Sequence, residues 1–400
     1  MGSFGRSAGR LLMGAQVVAG ATVAARLARG RRRLPSLTPR QSAGVTISVV
    51  IPARDEAARI GPCLRAVLAA PAVTEVIVVD DGSEDGTAGV AASLGAKVVT
   101  AGPLPSGWVG KQWALRQGMA AATCDVVVTL DADARPGPGL FGALADALER
   151  YDLVSAAPRF ACDGMLEQAL HASMLATLVC RFGPVGPASP PPPHRVVANG
   201  QCMAFRRAPM CEVDGFALVR DRMTDDVALA RSLAGRGWAV GFLDAAALLE
   251  VDMHDSVREL WREWGRSLPL RDVTGPGWQA ADLAVIWLTG ALPVLRLAAG
   301  RPTGLDVALL AVRLLLAGAL RGSYRAPGAG LLLSPLLDPA SAFRLTQATL
   351  RPVRTWRGRT YPVTASTARD ANGAVRDVGG DGRDVSGGGW SVRPGRSAAR

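Results

Sequence analysis

Two runs of β-branched residues, Val76-Ile77-Val78-Val79 and Val126-Val127-Val128-Thr129-Leu130, each end directly in paired carboxylates. The first pair is Asp80-Asp81, followed by Gly82-Ser83; the second is Asp131-Ala132-Asp133. A short unbroken apolar run closed by turn residues reads as a strand buried on both faces, as strands of a parallel sheet are. From residue 45 the pattern alternates. Strands are predicted over 45–51 (ended by Pro52), 75–79, 96–100, 125–130 and 153–157, and helices over 57–70, 86–94, 111–122 and 139–150. Such alternation implies βαβ units, an α/β fold and a mainly parallel sheet flanked by helices. Ligands of open α/β sheets bind outside the C-terminal strand ends, and both acidic pairs fall there.

Those pairs suit different tasks. Asp131 and Asp133 can hold a divalent cation on a diphosphate, because hard cations take oxygen ligands. Asp80 and Asp81 can read a nucleoside by hydrogen bonds. Together they suggest an enzyme acting on a nucleotide sugar. The plainer alternatives are an Asx turn, a helix cap (Ser83 or Asp85 for the helix that follows) and a solvated acidic turn before Pro136.

Beyond residue 157 the pattern is less regular. Residues 183–194 include four consecutive prolines, 190–193, and read as a loop near the site's mouth or the membrane. A strand is expected over 199–207, a helix over 224–233 and a short strand over 239–243. An amphipathic helix over 257–268 bears Trp261, Arg262, Trp264 and Arg266, residues favoured at the headgroup level of a membrane.

Hydrophobic residues make up 49% of the chain and aromatic ones only 5%. The mean hydropathy of +0.19 exceeds that of a typical soluble enzyme and predicts membrane association. Residues 11–25 form an apolar stretch between arginines, read as a marginal anchor in preference to a cleaved signal peptide or a surface helix. Segments 280–299 and 305–320 read as a hairpin of membrane helices, with interfacial helices as the alternative; 329–337 is too short to span. Arg321, Arg325, Arg344, Arg351, Arg354, Arg357 and Arg359 follow, which places that end, and the catalytic part, on the cytoplasmic side of the cell membrane. The expected organisation is an anchor and linker over 1–44, a catalytic domain over 45–256, amphipathic and membrane-associated helices over 257–345 and a basic disordered tail over 346–400.

The net charge of +11 is almost wholly arginine, with only two lysines, Lys97 and Lys111. Basic and aromatic residues do not interleave as on nucleic-acid platforms, so no nucleic-acid partner is expected. The six cysteines contain no C-x-x-C pair and read as free thiols of a reducing compartment.

The motifs Val49-Val50-Ile51-Pro52-Ala53-Arg54-Asp55-Glu56, Val78-Val79-Asp80-Asp81-Gly82-Ser83 and Leu130-Asp131-Ala132-Asp133 resemble family 2 glycosyltransferases. So do Gly107-Trp108-Val109-Gly110-Lys111, Asn199-Gly200-Gln201 and Thr224-Asp225-Asp226-Val227. These extend the resemblance to the membrane-bound branch that glycosylates isoprenoid-type lipids, including hopanoid-associated and carotenoid glycosyltransferases. The resemblance implies a GT-A fold, a nucleotide-diphosphate sugar donor, Mg²⁺ or Mn²⁺, a hydrophobic lipid or isoprenoid acceptor, and inversion at the anomeric carbon. It assigns the donor nucleotide to the turn with Pro52, Arg54 and Glu56, to Asp80 and Asp81, and to Lys111 and Asp131. The metal goes to Asp131 and Asp133, and the acceptor sugar to Gln201. Asp226 becomes the general base that an inverting transfer needs, with Asp225 as the lesser candidate in an Asp-Asp pair where the family has Glu-Asp. Simpler roles are helix-dipole acids for Asp225 and Asp226, a surface lysine for Lys111 and a core-edge amide for Gln201. His254 is a weak candidate for a third metal ligand. The helix with Trp261 and Trp264 lacks the family's Gln pattern, which argues against a processive polysaccharide synthase. A polyprenyl-phosphate sugar synthase and a non-catalytic membrane scaffold remain the alternatives.

Overall fold

In the computed structural model the described residues are 2–41, 44–252, 256–351, 355–356 and 359–361, with side chains described from Ser7 onward except at Trp356. His254 lies outside them, as do residues 362–400, so the tail beyond that point is not described.

The elements in chain order are α1 (Gly2–Ala28), β1 (Ile47–Ala53), α2 (Ala57–Leu68), β2 (Glu75–Asp80), α3 (Thr87–Ser93), β3 (Lys97–Thr100), α4 (Gly110–Ala121) and β4 (Val126–Leu130). Next come β5 (Ala134–Pro136), α5 (Leu140–Ala147), β6 (Leu153–Ala157), β7 (Arg159–Phe160), α6 (Met165–Phe182), β8 (Cys202–Arg206), α7 (Arg207–Glu212), α8 (Asp225–Ala234), β9 (Val240–Asp244) and β10 (Leu249–Val251). The rest are α9 (Val257–Ser267), α10 (Pro276–Ile286), α11 (Leu292–Ala298), α12 (Gly304–Ala319), α13 (Ala329–Leu333), α14 (Asp338–Leu350), β11 (Thr355–Trp356) and β12 (Arg359–Thr360).

The β-branched runs become the middle of a seven-stranded sheet of order β3-β2-β1-β4-β8-β6-β9. Within it β8 alone runs against its neighbours, pairing antiparallel with β4 and β6. Between β1 and β4 the strand order reverses, so the strand ends there form the crevice of an open α/β sheet. Ile47, Val49, Ile51, Val126 and Val128 are buried on one side of the sheet, while Val50, Ile77, Val79 and Val127 are buried on the other. Double-sided burial explains why these strands read as unbroken apolar runs. β5, β10 and β7 form a separate small sheet in that order.

A second hydrophobic core lies among helices. Val23 of α1, Met174 of α6, Leu260 and Trp264 of α9, Ile286 of α10, Leu316 of α12 and Leu345 of α14 are all buried in it. Thus α1 and α6 join the helices that follow residue 257. The core also takes up α9. Trp264 is buried and Trp261 packs under Arg344, so one face of this helix lies against protein. Ion pairs tie the layer together: Asp282 meets Arg26, Arg181 and Arg195, Asp338 meets Arg313 and Asp306 meets Arg296.

Among the described residues two helices are long and apolar enough to cross a membrane, Ser7–Arg32 and Pro276–Ala298. The first is longer than its apolar stretch suggested. The expected hairpin partner α12 is only 16 residues, and its Arg313 is buried against Asp338. Residues expected to open the disordered tail are in fact ordered, because α14 continues to Leu350 and β11 pairs with β12.

Candidate active site

The strand ends bring most of the predicted residues together. Pro52, Glu56, Lys111, Asp131, Asp133, Gln201, Asp225 and Asp226 all line one cavity of about 910 Å³. Asp131 follows β4, and its N–H donates to the Gln201 carbonyl (2.9 Å), which ties the Asp-x-Asp turn to the entry of β8. Lys111, in the first turn of α4, sits between acids. Its Nζ is 2.9 Å from Asp131 Oδ1 and 3.9 Å from Asp225 Oδ2. Burial opposes the lysine charge, but Asp131 and Asp225 outweigh it and hold the ammonium above its ordinary range. It is no surface lysine.

Asp133 is the least satisfied acid. Its Oδ1 is buried with no hydrogen-bond partner among the described residues. Burial, reinforced by Asp131 and Glu56, pushes its carboxyl up to about 7. An orphaned oxygen beside a second carboxylate fits a hard cation. Among the described residues, however, no three His, Cys, Asp or Glu side chains form a ready metal cage.

Asp225 and Asp226 open α8. Asp226 Oδ2 accepts the Gly200 N–H at 2.9 Å and Oδ1 accepts the Val227 N–H at 2.8 Å. A Cβ at Gly200 would stand 3.0 Å from the Asp226 Cβ, so glycine there admits the close approach. Burial first, then the Asp225 charge, pushes the Asp226 carboxyl up to about 7 despite Lys111. Gln201 is oriented by Asn199, whose Nδ2 donates to its Oε1 at 2.9 Å.

The nucleoside-side residues are placed differently. Asp80 and Asp81 stand at the end of β2, both buried, and neither lines the cavity. Arg54 Nη1 donates to the Asp81 carbonyl at 2.6 Å. Asp55 adopts φ 53°, and its N–H donates to Ser83 Oγ while its carboxylate accepts the Glu84 N–H. That reciprocal knit holds a left-handed aspartate and joins the two loops. Asp85 accepts the Ala57 N–H, so it satisfies the start of α2 as well as Thr87 of α3.

Three contributors escape the sequence reading. The walls Leu175, Leu178, Val179 and Phe182 come from α6, and Leu316 from α12. Arg359 and Tyr361 reach Asp81 and Gly110 from the far end of the chain. Of these, α6 and α12 leave a local sequence signal in their apolar length, whereas the placement of Arg359 and Tyr361 leaves none.

A seven-stranded, mainly parallel sheet with an Asp-x-Asp turn at the switch point defines a GT-A nucleotide-diphospho-sugar transferase fold. A mannosyltransferase from Pyrobaculum calidifontis, solved in complex with GDP-Man and Mn²⁺, shares it: TM-score 0.54, 19% identity, covering 86% of this chain and 98% of that one. Residues 48–211 match the family described as glycosyl transferase family 2, so the chain carries a family 2 glycosyltransferase domain. Curated relatives include the 4,4'-diaponeurosporenoate glycosyltransferase of Staphylococcus aureus strain bovine RF122 / ET3-1, 40% identical over 89 residues, 22% of this chain and 24% of that protein. The enzyme of that name from Staphylococcus haemolyticus strain JCSC1435 is 37% identical over 107 residues, 26% of this chain and 28% of that protein. The matched part thus spans about a quarter of each relative's length.

Proposed function

We propose that this protein is a membrane-associated inverting glycosyltransferase that moves one hexose from a nucleotide-diphosphate sugar to a hydrophobic, isoprenoid-type acceptor. The observation that carries the reading is the single cavity joining the strand-end carboxylates to apolar walls on α6 and α12. A charged donor and a greasy acceptor can meet only in a space lined both ways. The carotenoid-acid names of the curated relatives agree with such an acceptor.

Exposed apolar side chains support the membrane. Apart from Leu68, every exposed large hydrophobic residue among those described lies on α1, α6, α10 to α14 or the turn after α13. Leu11 is 76% and Leu315 75% exposed. An apolar surface confined to one layer marks a membrane or partner face. The sheet edge then faces the cytoplasm, where nucleotide sugars are made.

Asp226 takes the acceptor hydroxyl proton as the new C–O bond forms on the face opposite the departing diphosphate. A carboxylate near 7 matches neutral working conditions for that task. Asp225 sustains its raised affinity for the proton. Asp131 and Asp133 would hold Mg²⁺ or Mn²⁺ together with the donor phosphates, and the ion would offset charge on the leaving group. Lys111 meets the same phosphate charge from the start of α4. Gln201 contacts the sugar, and Pro52, Arg54, Glu56, Asp80 and Asp81 hold the nucleoside.

Membranes containing the full chain should transfer label from one member of a panel of radiolabelled nucleotide sugars into the lipid extract. Chelation of divalent cations should stop the transfer. Label appearing only in polyprenyl phosphate would indicate the synthase reading, and label only in water-soluble polymer or protein would overturn the lipid acceptor.

A further inference from the structure

We propose that the chain's own C-terminal segment, through Arg359 and Tyr361, occupies the nucleoside end of the donor site and must be displaced when the donor binds. The proposal rests on the reading of Asp80 and Asp81 as nucleoside ligands.

Arg359 Nη1 donates to Asp81 Oδ2 at 2.6 Å, and its Nη2 reaches the Asp81 carbonyl at 3.4 Å. Tyr361, itself buried, accepts the Gly110 N–H on its hydroxyl at 3.2 Å. The space around that carboxylate is closed: a Cβ at Gly110 would lie 2.3 Å from Asp81 Oδ2 and 2.9 Å from Arg359 Nη1. The cavity has Glu56, Val109, Lys111 and Thr355 on its wall, but not Asp80, Asp81 or Arg54. The diphosphate end and the Pro52 and Glu56 side of the nucleoside turn are therefore open, while the space around Asp80, Asp81 and Arg54 is filled by protein. Chemically the substitution is apt. A buried carboxylate needs N–H donors, which a guanidinium supplies in the same way as the N–H edge of a base.

The occupant is weakly held. β11 and β12 are two residues each, in a two-stranded sheet, and an isolated hairpin is at best marginally stable in water. Arg359 has side-chain exposure of 30%, so its ion pair is within reach of solvent and easier to exchange than the pairs of the helical core.

The test uses the full-length protein, Arg359→Ala and Tyr361→Phe, with UDP, GDP and dTDP as probes in the presence of Mg²⁺ or Mn²⁺. A site open only a tenth of the time binds about tenfold more weakly than its intrinsic affinity. Arg359→Ala should therefore tighten the Kd of the accepted nucleotide by on the order of tenfold, and Tyr361→Phe by less. In the wild type the same nucleotide should speed tryptic cleavage after Arg359, a readout that survives if either variant folds poorly. Unchanged or weaker binding by the variants, or protection of that bond by nucleotide, would overturn displacement and make the segment a cover over the donor. Failure of every nucleotide to bind wild type and variants alike would remove the nucleoside reading itself, and the proposal with it.

Discussion

The strand-end cleft and the helical layer are both rich in buried charge, and they treat it in opposite ways. In the helical layer each buried acid is matched. Asp282 meets three arginines; Asp338 bonds Arg313 and Ser173; Asp306 bonds Arg296, Gln16 and Thr303. In the cleft, acids outnumber their partners. Asp133 Oδ1 and Asp80 Oδ1 are buried with no hydrogen-bond partner among the described residues, and Lys111 serves both Asp131 and Asp225. Matched charge fixes helices to one another. Unmatched charge is an unstable arrangement that a cation, a phosphate-bound ion or a proton relieves, which is what a reaction site requires.

The comparison breaks most visibly at Asp282. Asp282→Ala would strand Arg181 in the core, and removing one partner of a buried pair costs roughly 3–5 kcal/mol. Thermal unfolding in detergent should show that loss, whereas Asp133→Ala, in the cleft, whose Oδ1 has no hydrogen-bond partner among the described residues, should cost much less. Stability equal to wild type in the Asp282 variant would mean the layer does not depend on its ion pairs.

Asp133 sharpens the contrast with the opposite sign. Its carboxyl titrates near 7 in the fold, against roughly 3.9 in an unfolded chain. The proton is thus bound more tightly in the native state. Stability from this group is full below about pH 4 and is lost as the pH rises through 7. Asp133→Asn removes that loss, so in chelator at pH 8 the Tm should rise, and at pH 4 it should not. A lower Tm at pH 8 would show that the acid is satisfied in the absence of a cation.

The smallest effect belongs to an exposed pair. Arg116 and Asp214 make bonds of 3.0 Å, but their side chains are 43% and 46% exposed. Arg116→Ala should cost no more than about 1 kcal/mol and leave transfer unchanged. A larger loss in urea unfolding would credit the surface with work assigned here to the interior.

The two regions also differed in legibility. The cleft is built from local signals: β-branched runs, acids directly after them, and Asp-Asp at a helix start. Pro52, Lys111, Asp131, Asp133, Gln201, Asp225 and Asp226 therefore converge as expected. The helical layer is built from pairings across the chain. Gln16 meets Asp306 over 290 positions, and no local pattern announces such a contact. Helix α6 is buried nearly around its circumference, so it lacks the one-sided stripe by which helices are recognised. β5, β7 and β10 are two or three residues long, below what alternation can reveal. Arg359 reads in sequence as one more basic tail residue; only the fold sets it on Asp81.

The most direct test concerns Asp226, with donor affinity and transfer rate measured together on Asp226→Asn. Its carboxyl is pushed up to about 7, so wild-type transfer at limiting acceptor should fall as the pH drops below about 7. The variant should bind the nucleotide sugar as tightly as wild type yet lose transfer by on the order of 10²–10⁴-fold. A variant that transfers within a few-fold of wild type, with the same pH profile, would contradict the assignment of the base and the claim that the cleft's unmatched charge does the chemistry.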